Sequence, residues 1–261
     1  MNDTIWIYWE NLPGRTEPPH ITLCRQVLRY QCRDLRIQLV TPENLSEFLP
    51  DLPPEIHNIT VQDNPDEPCL ATKTDFIRAF LLEKFGGLYI DSDAIVLQSL
   101  KGLFEMIRKD HFISMRKVSA PTRHISIGLY GSIANGEVIT SYANALRDHI
   151  AQRTAFKWGE VGAFTLTPII DSGLPNRVLP ERDIQPIPFN APRILASKIH
   201  EPEDFLDEKT LTLMLFHSVF DTTLKGWSID KLYNSDALIS KVFRATLPQR
   251  EFLKAEYETT V

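Results

Sequence analysis

Leu81-Leu82-Glu83-Lys84-Phe85-Gly86-Gly87-Leu88-Tyr89-Ile90-Asp91-Ser92-Asp93 is the stretch whose reading decides the fold. Ahead of it, the residues from about Thr72 to Phe85 have helical spacing, and Gly86-Gly87 stops that helix. Leu88-Tyr89-Ile90 is short, apolar and β-prone, the pattern of a buried strand. It runs straight into two carboxylates, and a second short strand is expected over Ala94 to Leu97. A helix that feeds directly into a buried strand belongs to an α/β sheet, and such sheets bind ligands at the carboxyl ends of their strands.

The flanking chain repeats the alternation. Thr4 to Trp9 reads as a first strand. After Pro18-Pro19, the positions Ile21, Leu23, Cys24, Val27 and Leu28 give a helix to about Tyr30. Arg36 to Val40 is a second strand, followed by a short helix with Thr41 as N-cap and Pro42 at its first position, ending before Pro50. Residues 51–68 are rich in Pro, Asp and Asn and read as an ordered loop with one short helical turn at most. Further strands are expected near Phe112 to Met115, Ile125 to Tyr130 and Leu211 to Phe216, with a helix over Gly136 to Ala151. Pro168 to Pro202 reads as loops around short strands, and the polar tail after Pro248 as a surface helix. No repeat or linker divides the chain, so a single domain over 1–261 with a mainly parallel sheet is expected.

The chain has 261 residues, 43% of them hydrophobic and 24% charged, with net charge −6. That balance fits a soluble globular domain and argues against wrapping nucleic acid, which needs concentrated positive charge. Pro (18) outnumbers Gly (11), which favours stiff loops. Cys24, Cys32 and Cys69 form no CxxC pair, and their odd number argues against a disulfide framework. The amino-terminal residues lack a basic region and an apolar run of signal-peptide length, and no stretch reaches the ~20 apolar residues of a membrane span. A cytoplasmic location is the expectation, with peripheral membrane association left open.

Asp91 and Asp93 offer hard oxygen ligands, suited to Mg²⁺ or Mn²⁺ in a site completed by water and substrate phosphates. An Asp-rich turn after a strand is the plainer alternative. On the preceding helix, Asp75, Arg78, Leu82 and Phe85 share one face, so two charges extend an apolar stripe. They are either an i,i+3 ion pair or a grip for sugar hydroxyls and phosphate oxygens. Trp9, Trp6 and Trp158 read as core aromatics on their own, and Arg147 and Arg153 as a solvated helix face. No HExxH, Walker A, G-x-S-x-G or G-x-G-x-x-G pattern is present.

Lys73-Thr74-Asp75-Phe76-Ile77-Arg78, followed by Leu81 through Asp93, resembles the signature of nucleotide-sugar glycosyltransferases with the GT-A fold. It is similar to the capsular polysaccharide synthesis family, to glycosyltransferase family 32 and to the catalytic domain of glucosylating bacterial toxins. Ile5-Trp6-Ile7-Tyr8-Trp9-Glu10, Pro19, Cys24 and Thr41-Pro42-Glu43-Asn44 follow the same family in order, so the resemblance covers roughly residues 4–103. It implies a Rossmann-like mixed sheet flanked by helices. The donor-binding part would span about 1–105, and a part that serves the acceptor and completes the metal site about 106–235.

The resemblance also implies roles. Trp9 stacks on the uracil of a UDP-sugar, Asp75 and Arg78 hold the donor sugar and diphosphate, and Asp91 contacts ribose and sugar. Asp93, with Asp91, ligates the divalent metal; His217 resembles the histidine that completes that site, and Trp227 the tryptophan of a loop over the donor. Gly162-Ala163-Phe164-Thr165-Leu166-Thr167 resembles a segment near the acceptor, with Ala163 where proline is usual. The implied reaction is retaining, metal-assisted hexosyl transfer to a saccharide or lipid-linked saccharide, with Asp91, Asp93 and Arg78 as the catalytic set. Two other readings stand beside it. One is a phosphohydrolase of the haloacid dehalogenase type with Asp91 as nucleophile; the other is a nucleotide-sugar binder without catalysis.

Overall fold

The computed structural model describes residues 3–120, 122–220 and 222–252, apart from the side chain of Pro65. The chain forms two compact units that interleave along the sequence. One comprises Met1–Glu10, Leu35–Asp91 and Lys101–Leu179; the other comprises Asn11–Asp34, Ser92–Leu100 and Pro180–Val261.

The first unit is built on a six-stranded sheet. Its spatial order is Arg177–Leu179, Phe112–Arg116, Ile125–Ser132, Gly87–Ile90, Thr4–Tyr8, Arg36–Val40. The Thr4–Tyr8 strand lies between Gly87–Ile90 and Arg36–Val40 and is parallel to both. Ile125–Ser132 runs antiparallel to both of its neighbours, so the sheet is mixed where a mainly parallel one was expected from the alternation of elements. The Leu70–Phe85 helix packs on the Glu137–Gln152 helix and on the first strand. Phe76, Tyr89, Phe112, Tyr130, Tyr142 and Phe156 fill the core between them.

The turn from helix to strand is made by glycine for steric reasons. Gly86 has φ 66° and Gly87 φ 105°, backbone conformations that L side chains rarely adopt. A Cβ on Gly87 would sit 2.5 Å from the Thr4 carbonyl oxygen, and one on Gly86 would sit 2.6 Å from the Ala134 nitrogen. Trp6 closes the corner by donating from its indole N–H to the Gly86 carbonyl at 2.9 Å.

The second unit pairs Ala94–Val96 antiparallel with Thr212–Met214. The Pro19–Gln31, Ile229–Asn234 and Leu238–Thr246 helices contribute Leu23, Val27, Leu232, Ile239 and Phe243 to a separate core around Ile95 and Leu213. Cys24, Cys32 and Cys69 are free thiols. Among the described residues, no helix is long and apolar enough to cross a membrane.

Four local expectations need correction. Thr41 does not cap a helix: Asn44 Oδ1 accepts the Thr41 N–H at 2.8 Å and its amide donates to the Leu39 carbonyl at 3.2 Å. This local turn delays the helix to Leu45–Phe48. Pro168 lies inside the Ala163–Asp171 helix rather than in a loop. Residues 60–61 and 64–68, expected as loop, are strands, and the former pairs with Ala155–Phe156. Trp158 is not core but 72% exposed. Most of the expected tail helix over 248–261 lies outside the described residues.

Replacing Gly87 with alanine should destabilise the protein by more than ~2 kcal/mol, since the backbone conformation and the clash both oppose it. Gly102→Ala, inside the Lys101–Asp110 helix with open space around it, should instead stabilise it by ~0.5–1 kcal/mol. Urea denaturation of both variants checks this; equal effects would contradict it.

Candidate active site

Two paired parallel strands of the first unit end side by side, so Trp9 and Glu10 follow one strand and Asp91 follows its neighbour. The Leu70–Phe85 helix brings Asp75 and Arg78 to the same edge. The helix is buried over most of its length, so Lys73, Asp75 and Arg78 are largely shielded from water.

Arg78 is the hub. Its guanidinium lies 3.0 Å from Asp91 Oδ1 and 3.3 Å from Asp75 Oδ1, and its side chain is only 5% exposed. It donates to the Ile127 carbonyl at 2.5 Å and to the Thr74 carbonyl at 3.3 Å, and it lies 4.7 Å from the centre of the Tyr89 ring. Burial alone would lower the pKa of this guanidinium, but Asp91, Tyr89 and Asp75 together outweigh burial and raise it. A buried cation held this way is a fixed positive group, with Asp91 as its outward, one-third exposed partner.

Asp75 is buried. Burial pushes its carboxyl up from 3.8 to about 6 against the opposing pull of Arg78. Gly162, just before the Ala163–Asp171 helix, makes this packing possible. A Cβ there would lie 2.6 Å from Asp75 Oδ2 and would also meet Ile127. The segment expected near the acceptor therefore abuts Asp75. The Tyr130 hydroxyl is buried in the same core without a hydrogen-bond partner among the described residues.

A third cluster was not assigned from the sequence. Glu10 Oε2 accepts from the Tyr8 hydroxyl at 2.6 Å and pairs with Lys73 Nζ at 2.7 Å, and the Lys73 side chain is 7% exposed. Both residues stand in the motifs that carried the resemblance, but only the fold shows that they meet. Trp9 is half-buried, and its backbone N–H donates to the Val40 carbonyl at 3.1 Å.

In the second unit, Asp93 Oδ2 accepts the backbone N–H of His217 at 2.6 Å, which ties the carboxylate to the segment that carries the imidazole. His217 Nδ1 lies 3.1 Å from Nε2 of His20, another residue the sequence did not single out. Burial lowers the pKa of both imidazoles, that of His20 to about 3 with His217 and Lys225 adding to the effect. Neutral imidazole and carboxylate form a donor set that suits Mn²⁺ or Mg²⁺. Among the described residues, no three His, Cys, Asp or Glu side chains converge to hold a metal unaided. Sites of this class take one or two protein ligands and complete their shell with substrate phosphates, so the residues present fit the ion. Trp227 packs against the second core with Lys231 Nζ 4.4 Å from its ring centre, directly before Ser228, which caps the next helix.

The architecture is that of GT-A glycosyltransferases. The apo form of the glycosyltransferase GlyE from Streptococcus pneumoniae TIGR4 superposes with TM-score 0.54 at 14% identity, covering 100% of this chain and 64% of that one. A second structure of GlyE gives 0.51 at 13% identity, covering 99% and 64%. The chain belongs to the capsular polysaccharide synthesis protein family, whose model matches residues 1–157. Lactosylceramide 4-alpha-galactosyltransferase of Rattus norvegicus is 28% identical over 128 residues. That match takes in 49% of this chain and only 32% of the rat protein, so the chain spans about a third of the curated relative it matches.

Between about pH 4 and about pH 6 the native state holds a proton on Asp75 that the unfolded chain has lost. Stability from this group therefore falls by ~3 kcal/mol as pH rises. Asp75→Asn removes that slope, so the variant should gain on the wild type as pH rises across this window in urea denaturation. A pH-independent difference would contradict it. Gly162→Ala should cost on the order of 1–3 kcal/mol by the same measurement, because the added methyl meets Asp75 and Ile127.

Proposed function

We propose that the chain is a glycosyltransferase that moves a hexose from a nucleoside diphosphate sugar to a hydroxyl of a saccharide or lipid-linked saccharide, in the making of a surface or capsular polysaccharide. UDP is the favoured donor nucleotide and retention the favoured stereochemistry. The observation that carries this reading is the buried Asp75–Arg78–Asp91 group at the carboxyl end of a sheet strand, in a chain of this family. The name of the rat relative, a galactosyltransferase, makes galactose a donor sugar to test first.

Each residue then has a task. Trp9 offers an aromatic face to the uracil. Asp75 and Asp91 accept hydrogen bonds from hydroxyls of the sugar and ribose, while Arg78 holds positive charge close to the diphosphate before the bond breaks. Because Arg78 is already held by its partners, little reorganisation is needed as negative charge develops on the leaving group. Asp93 and His217 would hold a divalent metal whose remaining positions the donor phosphates and water fill. When bound, that metal supplies Lewis-acid stabilisation of the departing diphosphate. The ion pair with Arg78 suits Asp91 for accepting hydrogen bonds better than for attack on phosphorus, which argues against the phosphohydrolase reading.

A screen of UDP- and GDP-sugars for hydrolysis, with Mn²⁺ and with chelator, tests the proposal. We expect metal-dependent turnover of a UDP-hexose that falls by about 10²–10³ in Asp93→Ala and also falls in His217→Ala. Nucleotide binding without turnover of any donor would support the binder instead. Release of phosphate from simple monoesters without sugar turnover would support the phosphohydrolase.

A further inference from the structure

Residues 116–124 and 153–164 carry five cations and one acid, in a chain of net charge −6. The fold brings these two segments together at one edge of the first unit. The Phe112–Arg116 and Ile125–Ser132 strands are joined by a hairpin, in which the Lys117 N–H donates to the His124 carbonyl at 2.9 Å. The His124 ring lies 4.5 Å from the Phe164 ring, and the Phe164 N–H donates to the Gly159 carbonyl at 3.0 Å, beside Trp158. Three large apolar side chains stand out of this edge: Trp158 is 72% exposed, Val118 60% and Phe164 45%. Arg116 pairs with Asp171 and Arg153 with Glu160. Arg123 and Lys157 are exposed, and among the described residues no carboxylate pairs with either. The turn that presents Trp158 is held firmly. Glu160 accepts the Lys157 N–H on its carboxylate at 2.9 Å and the Thr165 hydroxyl on its carbonyl at 2.7 Å, and Gly159 turns the chain at φ 77°.

We propose that this edge docks on a bilayer that contains anionic lipid. Trp158 and Val118 enter the headgroup boundary, and Lys117, Arg123 and Lys157 lie against lipid phosphates. An indole favours the membrane–water interface, where its apolar body and its N–H are both satisfied. Each Lys or Arg beside it gains about fivefold in affinity from the negative potential of the surface. Val118 decides against a polyanion such as nucleic acid. It follows Lys117 in the hairpin, and an exposed aliphatic tip gains from an acyl boundary but finds no partner on a phosphate backbone. The docking edge is also the edge of the candidate site. The Asp91 N–H donates to the Gly128 carbonyl at 2.8 Å, three residues into the strand that follows the hairpin, and a Cβ on Gly162 would lie 2.6 Å from Asp75. Docking therefore sets the Asp75–Asp91 side of the unit next to acceptors anchored in the bilayer.

The assignment uses none of the donor-site residues, so it stands or falls separately from the function proposed above. The full chain is sedimented with vesicles of phosphatidylcholine alone and of phosphatidylcholine mixed with phosphatidylglycerol, without nucleotide or metal. We expect binding to the mixed vesicles only, weakened by added salt. Indole emission should shift to the blue on binding, and Trp158→Phe should lose that shift. The Arg123→Gln, Lys157→Gln double variant should bind the mixed vesicles about 10–30-fold more weakly, and Trp158→Ser about tenfold more weakly. All three substituted side chains are exposed, so thermal unfolding should match the wild type, which guards against a folding defect. Equal binding to both kinds of vesicle, binding to neither, or full binding by the variants overturns the proposal. A concentration-dependent dimer that Trp158→Ser abolishes, with no vesicle binding, gives the edge to a second copy and overturns it too. So does turnover of a water-soluble saccharide acceptor that falls in Trp158→Ser while vesicles are ignored.

Discussion

A guanidinium buried between two carboxylates is the constraint around which the first unit is organised. Arg78 cannot sit at 5% exposure without partners, and Asp75 and Asp91 provide them from a helix and from the end of a strand. For those carboxylates to meet one guanidinium, the Leu70–Phe85 helix must turn at once into the Gly87–Ile90 strand. Only glycine allows that turn, because a Cβ on Gly87 would strike the neighbouring strand. The tyrosine layer of Tyr89, Tyr130 and Tyr142 then gives the buried charges an aromatic floor, with Arg78 over the Tyr89 ring. Removing Arg78 would leave the buried Asp75 carboxylate without its cation, so the ion triad is as much a folding device as a candidate ligand grip.

The two cores differ in what they present. In the first unit, charge is buried and Asp75 has its pKa raised by burial. In the second, a carboxylate and two neutral imidazoles are linked by short polar contacts, Asp93 to the His217 backbone and His217 to His20. The triplet Asp91-Ser92-Asp93 contributes its first residue to one unit and its last to the other. Asp91 is thereby committed to Arg78 and Asp93 to His217. Two residues of a single short motif thus have distinct chemical surroundings, and they suit distinct tasks.

The parts legible in the sequence were those governed by local sterics or strong pattern. The glycine stop, the apolar strand after it and the strand over Arg36–Val40 required nothing beyond the chain itself. Where a side chain competed with the backbone, local reading failed: Thr41 looked like a cap until the Asn44 amide took over its turn. Pro168 looked like a helix breaker, yet it sits within a helix. The amphipathic Lys101–Asp110 helix and the helices after Thr222 were not foreseen, although their apolar spacing was available. Partnerships across distant segments, such as Glu10 with Lys73, His20 with His217 and Gly162 against Asp75, cannot be read from spacing. Only the packing of one element on another creates them.

The central claim is that the Arg78 group is the place where a donor nucleotide sugar is held. A crystal structure of the chain with UDP and Mn²⁺ tests it most directly. The account predicts the uracil against Trp9, with Arg78 and Asp91 within hydrogen-bonding distance of the nucleotide. UDP bound elsewhere, with the edge formed by Trp9, Asp75, Arg78 and Asp91 unchanged, would contradict it.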